Sequence, residues 1–190
     1  MRPFRADLHI HSLLSPCGSL EMTPREIIAR AVARGLDMIA VSDHNSTLHC
    51  ELTVALGIEA GITVLRAAEV TSAEDVHSLV ILPDEAARVS FQQWIDDHCG
   101  HMPHNPDILG DQVVIDKDEN IIREINHFLP AALNATLDEV EASAHRHGGL
   151  FIPAHIDRPS MSITSQLGFI PEDLYIDAVE VVGQTPDLLH

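Results

Sequence analysis

The amino-acid sequence predicts an α/β fold built on parallel strands, and three observations carry that expectation. Short aliphatic runs alternate with helical stretches, the connections between them are mostly short, and the apolar residues are overwhelmingly aliphatic. Hydrophobic residues make up 45% of the chain and aromatics only 4%, so the core must be built from Leu, Ile, Val and Ala, as buried parallel strands and their covering helices require. With 190 residues the chain can bury one good core but is short for two. We therefore expect a single domain over 1–190.

Taken in order, residues 5–10 read as a strand ending in the pair His9 and His11. Thr23-Pro24-Arg25-Glu26 starts a helix, with a capping-box spacing and proline at the first helical position. Ile27, Ile28, Ala31 and Val32 give its apolar face and Gly35 its stop. Residues 36–41 form a strand that runs into Ser42-Asp43-His44-Asn45. A helix over 48–60 and a strand over 62–67 follow, with Glu69 just past the strand end. Residues 77–82 are another strand, closed by Pro83. Its histidine stands at its start, too soon after Glu69 for a helical crossover, so either the two segments pair antiparallel or the sheet is locally distorted.

Residues 84–98 should be helical and 99–111, rich in Gly, Pro, His and Asn, a long loop. Residues 112–115 and 120–125 flank Asp116-Lys117-Asp118-Glu119 and predict a β-hairpin insertion near 100–125. Thr136-Leu137-Asp138-Glu139 begins a further helix ending near Gly148-Gly149. Residues 150–154 form the strand that delivers His155, and 178–182 the last strand. In a barrel of parallel strands the carboxyl ends share one face. His or carboxylate residues arriving at several such ends would converge there.

The net charge is −18 with histidine neutral, and only 11 Lys and Arg are spread through the chain. Phosphate neutralisation along a polymer needs clustered cations, so long nucleic acid is disfavoured as a partner. Bound divalent cations would instead cancel carboxylate charge locally, which suits a chain with 13 histidines. No run reaches the ~18 apolar residues that span a bilayer, and the start of the sequence does not resemble a signal peptide. A cytoplasmic, membrane-free protein is expected. Three cysteines, Cys17, Cys50 and Cys99, without paired spacing argue against a disulfide scaffold.

Each candidate residue has a plain alternative. His9 and His11, two apart on a strand, face the same way and suit Zn, Mn or Fe, but an isolated His-x-His is more often structural. Asp43 beside His44 can orient a ligating ring; equally, Ser, Asp and Asn make ordinary turns. Glu69, leaving an apolar strand, needs a partner, either a metal or a cation such as Arg66. A carboxylate of this kind can bridge two metals ~3.5–4 Å apart. Arg158, three residues after His155, has the planar fork that binds anions, unless Asp157 or Glu172 takes it. His98, His101 and His104 read as exposed loop residues, and His49, His127, His145, His147 and His190 as unspecialised.

Taken together, Asp7-Leu8-His9-Ile10-His11-Ser12, Val41-Ser42-Asp43-His44-Asn45, Glu69, His77 and Pro153-Ala154-His155 resemble the PHP (polymerase and histidinol phosphatase) superfamily over nearly the whole chain. Ser15-Pro16-Cys17-Gly18, Gln112-Val113-Val114 and Ala154-His155-Ile156-Asp157-Arg158 look like its stand-alone bacterial or archaeal type. The resemblance implies a distorted seven-stranded β/α barrel of TIM-like form with two or three divalent metals (Zn, Mn or Fe) at its carboxyl face. It assigns His9, His11 and Glu69 to a first metal, and Glu69, His77 and His155 to a second. A third would take His44 and Cys17, where the family often has His or Asp.

The family's final-strand Asp-x-His element has no counterpart here. Asp187 and His190 have the wrong spacing, so this chain is expected to lack the last strand. The activity implied is hydrolysis of a small phosphorylated metabolite or nucleotide by a metal-activated water, with Asp43 and Arg158 assisting catalysis. A C–N hydrolase and a degenerate, non-catalytic metal-binding domain are the other readings.

Overall fold

The computed structural model describes residues 3–183. Its centre is a curled sheet of five strands. They are β1 (Ala6–Ile10), β2 (Met38–Val41), β3 (Thr63–Thr71), β4 (His77–Leu82) and β7 (Leu150–Pro153), in the spatial order β1-β2-β3-β4-β7. β5 (Val113–Ile115) and β6 (Ile121–Glu124) form the expected antiparallel hairpin as a separate sheet. The first three strands are parallel. β4 is antiparallel to both β3 and β7, the first of the two options that the short gap before His77 leaves open. The reason is length: the turn after Thr71 is far shorter than the dozen or so residues that a parallel crossover needs, so the chain can only double back.

Among the described residues the sheet is an open half-barrel. The segment expected as a last strand at 178–182 is not one, but it lies along β7. Asp177 N–H donates to Phe151 O at 3.1 Å, Glu180 N–H to Pro153 O at 3.0 Å, and Ile156 N–H to Glu180 O at 2.9 Å. Asp187 and His190 lie outside the described residues.

The helices follow their sequence signals closely. α1 (Pro24–Ala33) is capped by Thr23, whose hydroxyl accepts from Glu26 N–H at 3.2 Å. The box is half made, because the Glu26 carboxylate turns to Arg30 at 2.7 Å. α2 (Cys50–Ala60) ends at Gly61 in the left-handed region, φ +74°, which glycine adopts without a Cβ clash. α3 (Glu85–His98) starts from Asp84. α4 (Pro106–Leu109) lies in what the sequence suggests is loop. α5 (Leu137–Arg146) has a complete capping box from Thr136 and Glu139. α6 (Ile163–Leu167) is a short helix that the sequence does not announce. No described helix is long and apolar enough to cross a membrane.

Strand alternation divides the sheet into two faces. On one, Ala68, Val70, Val80, Leu82 and Phe151 pack against Phe91 and Ile95 of α3 and Val140 and Ala144 of α5. Phe91 and Phe151 are fully buried, each contributing about 1.5–3 kcal/mol of transfer free energy. On the other face, Ala40, Ala67, Leu79, Ile81, Ile152 and Ala154 make an aliphatic floor. Glu69 continues the parity of Ala67, and His77 that of Leu79. The site therefore stands on this floor.

Candidate metal centre

Five imidazoles surround one carboxylate. Glu69, only 1% exposed, has His9 Nε2 at 3.2 Å, His77 Nδ1 at 2.8 Å and His155 Nε2 at 3.2 Å from Oε1. His11 Nε2 lies 3.0 Å and His44 Nδ1 3.1 Å from Oε2. Each element brings its residue for a reason. The β1–β2 register shifts between Asp7 and Ile10, an irregularity that re-aims side chains at a strand end. His44 follows β2 and pairs with Glu69 through an isolated parallel bridge. The antiparallel turn returns His77 to the same floor. His155 follows β7 with φ +34°, a conformation that is sparsely populated for non-glycine residues and recurs at functional sites.

Arg66 does not take Glu69; it pairs with Glu51. The five rings, Cys17, Arg158, Asp7, Glu180 and Val182 line one open cavity of about 520 Å³. A different pocket, near the hairpin and of about 300 Å³, contains none of these groups.

The electrostatics are those of ligands crowded together. Burial alone would lower the His9 ring, but hydrogen bonds to Glu180 and Glu69 overcome it and raise the pKa to about 9. Burial likewise opposes charge on His11, where Cys17 and Glu69 prevail and raise it to about 10. His44 goes the other way: burial, aided by the neighbouring histidines, outweighs Glu69 and lowers it to about 3. Burial pushes Glu69 up, yet the close ring nitrogens of His11, His155, His77 and His9 hold its carboxyl far below the ordinary range.

A metal fits these residues better than hydrogen bonding does. Glu69 Oε2, His44 Nδ1 and His155 Nδ1 are buried with no hydrogen-bond partner, although ring nitrogens crowd Oε2 at ion-pair distance. Such orphaned atoms normally cost about 1–3 kcal/mol each. His9 Nε2 and His11 Nε2 face each other at 3.2 Å, close enough for both to bind one ion. Three sets have ligand atoms within 4.8 Å of one another: His9, His11 and Glu69; His44, Glu69 and His77; and His11, Cys17 and His44. Imidazole, carboxylate and thiolate suit Zn, and imidazole with carboxylate suits Mn and Fe.

Cys17 is exposed and unpaired, with its Sγ 2.8 Å from His11 Nδ1. Asp43 is brought near the centre but does not line the cavity. It is 1% exposed and accepts from Ser12 N–H at 2.8 Å, Ser12 Oγ–H at 2.7 Å and Ser15 Oγ–H at 2.7 Å. It thereby holds the loop that leads to Cys17. Arg158 lines the cavity and makes no salt bridge with a described residue. Asp157 is occupied elsewhere, accepting from Val182 N–H at 3.0 Å and Gly183 N–H at 2.6 Å.

Two contributors were missed in the sequence. Glu180 accepts from His9 Nδ1–H at 2.9 Å and His155 N–H at 2.8 Å. That fixes the His9 tautomer with Nε2 toward Glu69, the usual carboxylate–histidine arrangement around a metal. Its signal was there, a lone charge within the apolar run Val179-Glu180-Val181-Val182. His49, read as unspecialised, is 1% exposed. Its Nε2 accepts from Ile115 N–H at 3.1 Å, so Nδ1–H must donate to Ser12 Oγ at 2.8 Å. It joins the hairpin to the Asp43 network.

Solved structures with this fold include a Bifidobacterium adolescentis protein assigned as a metal-dependent phosphoesterase. It is 17% identical, with TM-score 0.66, and the match covers 94% of this chain and 77% of that one. The lesion-specific endonuclease EndoQ of Pyrococcus furiosus is 22% identical, with TM-score 0.61, and covers 94% of this chain, which spans only 42% of the endonuclease. An amidohydrolase from Chromobacterium violaceum with bound sulfate is 19% identical, TM-score 0.53, over 81% of this chain and 68% of that one. Comparison with curated proteins gave no match. Residues 7–166 match the sequence model of the PHP domain, from the strand that carries the first histidine pair to the helix beyond Arg158, and the chain belongs to the PHP domain family.

Proposed function

We propose that the chain is a metal-dependent phosphoesterase acting on a small phosphorylated metabolite or nucleotide. By family the chain is a hydrolase. The observation that carries the finer reading is Arg158, a guanidinium without a salt bridge to any described residue, lining the same cavity as Glu69 and its five histidines. A planar fork without such a bridge is what a phosphoryl group recruits. In the proposal His9, His11 and Glu69 hold one metal, Glu69, His77 and His155 a second, and His44 with Cys17 a third. Bound there, divalent metals supply a hydroxide at neutral pH and polarise the phosphoryl oxygen.

The protein's own groups do the rest. Arg158 binds and orients the phosphate, Glu180 holds His9 in its tautomer, and Asp43 positions the loop that bears Cys17. We read the five-stranded sheet as part of a seven-stranded barrel. The net charge of −18 favours a small substrate over a long polyanion. A C–N substrate is disfavoured by the lining, in which Val182 is the one aliphatic residue.

The test is a phosphoester panel assayed with chelator, then after return of Mn²⁺ or Zn²⁺. Activity should vanish and be restored. Arg158→Ala should lower kcat/KM by about 10- to 100-fold, the loss of a charged hydrogen bond worth about 1.5–3 kcal/mol. Inactivity of the metal-loaded protein across the panel overturns the reading.

A further inference from the structure

Away from the centre, the segment after α3 and the segment after β6 meet. Phe128 N–H donates to Met102 O at 2.8 Å and His104 N–H to Asn126 O at 3.2 Å, with Pro103 and His127 paired antiparallel. His101 has φ +49°, a left-handed turn that is uncommon outside glycine, and its ring meets that of His127 edge-on at 5.5 Å. Cys99 Sγ, a nitrogen of His101 and a nitrogen of His127 lie within 4.8 Å of one another. None of these three side chains makes a hydrogen bond to a described residue, and no described carboxylate forms a salt bridge with either ring; Asp96 acts on His127 only at longer range.

We propose that Cys99, His101 and His127 form a second zinc site, separate from the Glu69 centre. One thiolate and two imidazoles are a zinc donor set. Among the described residues no fourth side chain joins the set, which leaves the fourth position open to water. Such a site would tie the segment leading into the hairpin insertion to the segment leaving it, acting as a clasp at the insertion's root. The proposal does not rest on the hydrolytic reading, since none of the three residues lines the Glu69 cavity.

Cobalt(II) is the probe, because a cobalt–thiolate bond gives a near-ultraviolet charge-transfer band. Cys17 is replaced first, so that the Glu69 centre cannot contribute a thiolate. Cys17→Ser protein titrated with cobalt should still develop the band. In Cys17→Ser/Cys99→Ser the band should disappear, and His127→Ala in the Cys17→Ser background should weaken cobalt binding at the band by more than about tenfold, at least the effect of losing an outer-shell partner. Circular dichroism reports folding of each variant. If a Cys99 variant unfolds, the His127 variant carries the test alone. Native mass spectrometry should find one zinc fewer in Cys99→Ser than in the unsubstituted chain, while activity on phosphoesters persists. Absence of the band in folded Cys17→Ser, or its survival without Cys99, overturns the proposal.

Discussion

Filling the position of His9, His11 and Glu69 at neutral pH should expel about two protons. Without metal, His9 is raised to about 9 and His11 to about 10, so at pH 7 each ring is protonated to about 99% or better. Coordination needs neutral imidazole, and His44, lowered to about 3, has no proton to give. Apparent affinity should therefore climb about 100-fold per pH unit above pH 7, flattening as pH nears 9. Titration calorimetry in buffers of different ionisation enthalpy measures the release directly as the slope of observed heat on buffer enthalpy. A slope below about one proton, with affinity flat across this range, would refute the argument that Glu180 and Glu69 keep the pair charged.

The same shifts set the stability of the chelated protein. The raised pair stabilises fully below about 6.5, the ordinary histidine value, and loses that contribution as pH rises through 9–10. His44 contributes above about 6.5 and loses that as pH falls toward 3. Their sum peaks near 6.5, and the Tm of chelated protein should fall on either side of it.

Three further outcomes follow from particular contacts. Glu180→Ala removes the acceptor that fixes the His9 tautomer, so metal affinity should drop about 10- to 100-fold, read by competition with a chromophoric chelator. His49→Ala strands the Ile115 N–H, while Ser12 Oγ still donates to Asp43 and accepts from Leu14 N–H. The substitution should cost about 1–3 kcal/mol in urea denaturation, with faster amide exchange at Ile115. Gly149→Ala would set a Cβ 2.6 Å from Ile81 O and 3.2 Å from Ala144 O. Both are backbone, so a loss of about 1–3 kcal/mol is expected, visible as a lower denaturation midpoint at unchanged slope.

What could be read from the sequence was whatever local chemistry dictates. Proline after Thr23, Asp84 ahead of a helix and the Thr136–Glu139 box located helix starts, and the aliphatic runs located β1 to β4. Direction was only half visible. The short gap between Glu69 and His77 left two options, and the register of β3 with β4 decided between them. The five histidines and Glu69 were legible because each stands beside an apolar run, His77 at the start of its own and the others at or past the end. Glu180 escaped because its meaning depends on lying beside His9, a contact between distant parts of the chain. Cys99, His101 and His127 escaped for a related reason: a left-handed turn at His101 and a pairing across the hairpin insertion bring them together, and no periodicity reports either.

The reversal of β4 also bears on how this sequence can change over time. Glu69 and His77 stand on one hairpin, with Thr71 opposite His77 and Glu69 opposite Leu79. The turn between them is thus a ruler for the centre. One residue inserted into β4 would put His77 and the floor residues after it on opposite faces, so that either His77 or the floor turns to the side where Val70 and Val80 pack. Loops at the cavity mouth can lengthen at small entropic cost, which leaves room for new substrates. The link from Ser72 to Val76 has no such latitude, and variation in length should collect everywhere around the centre except there.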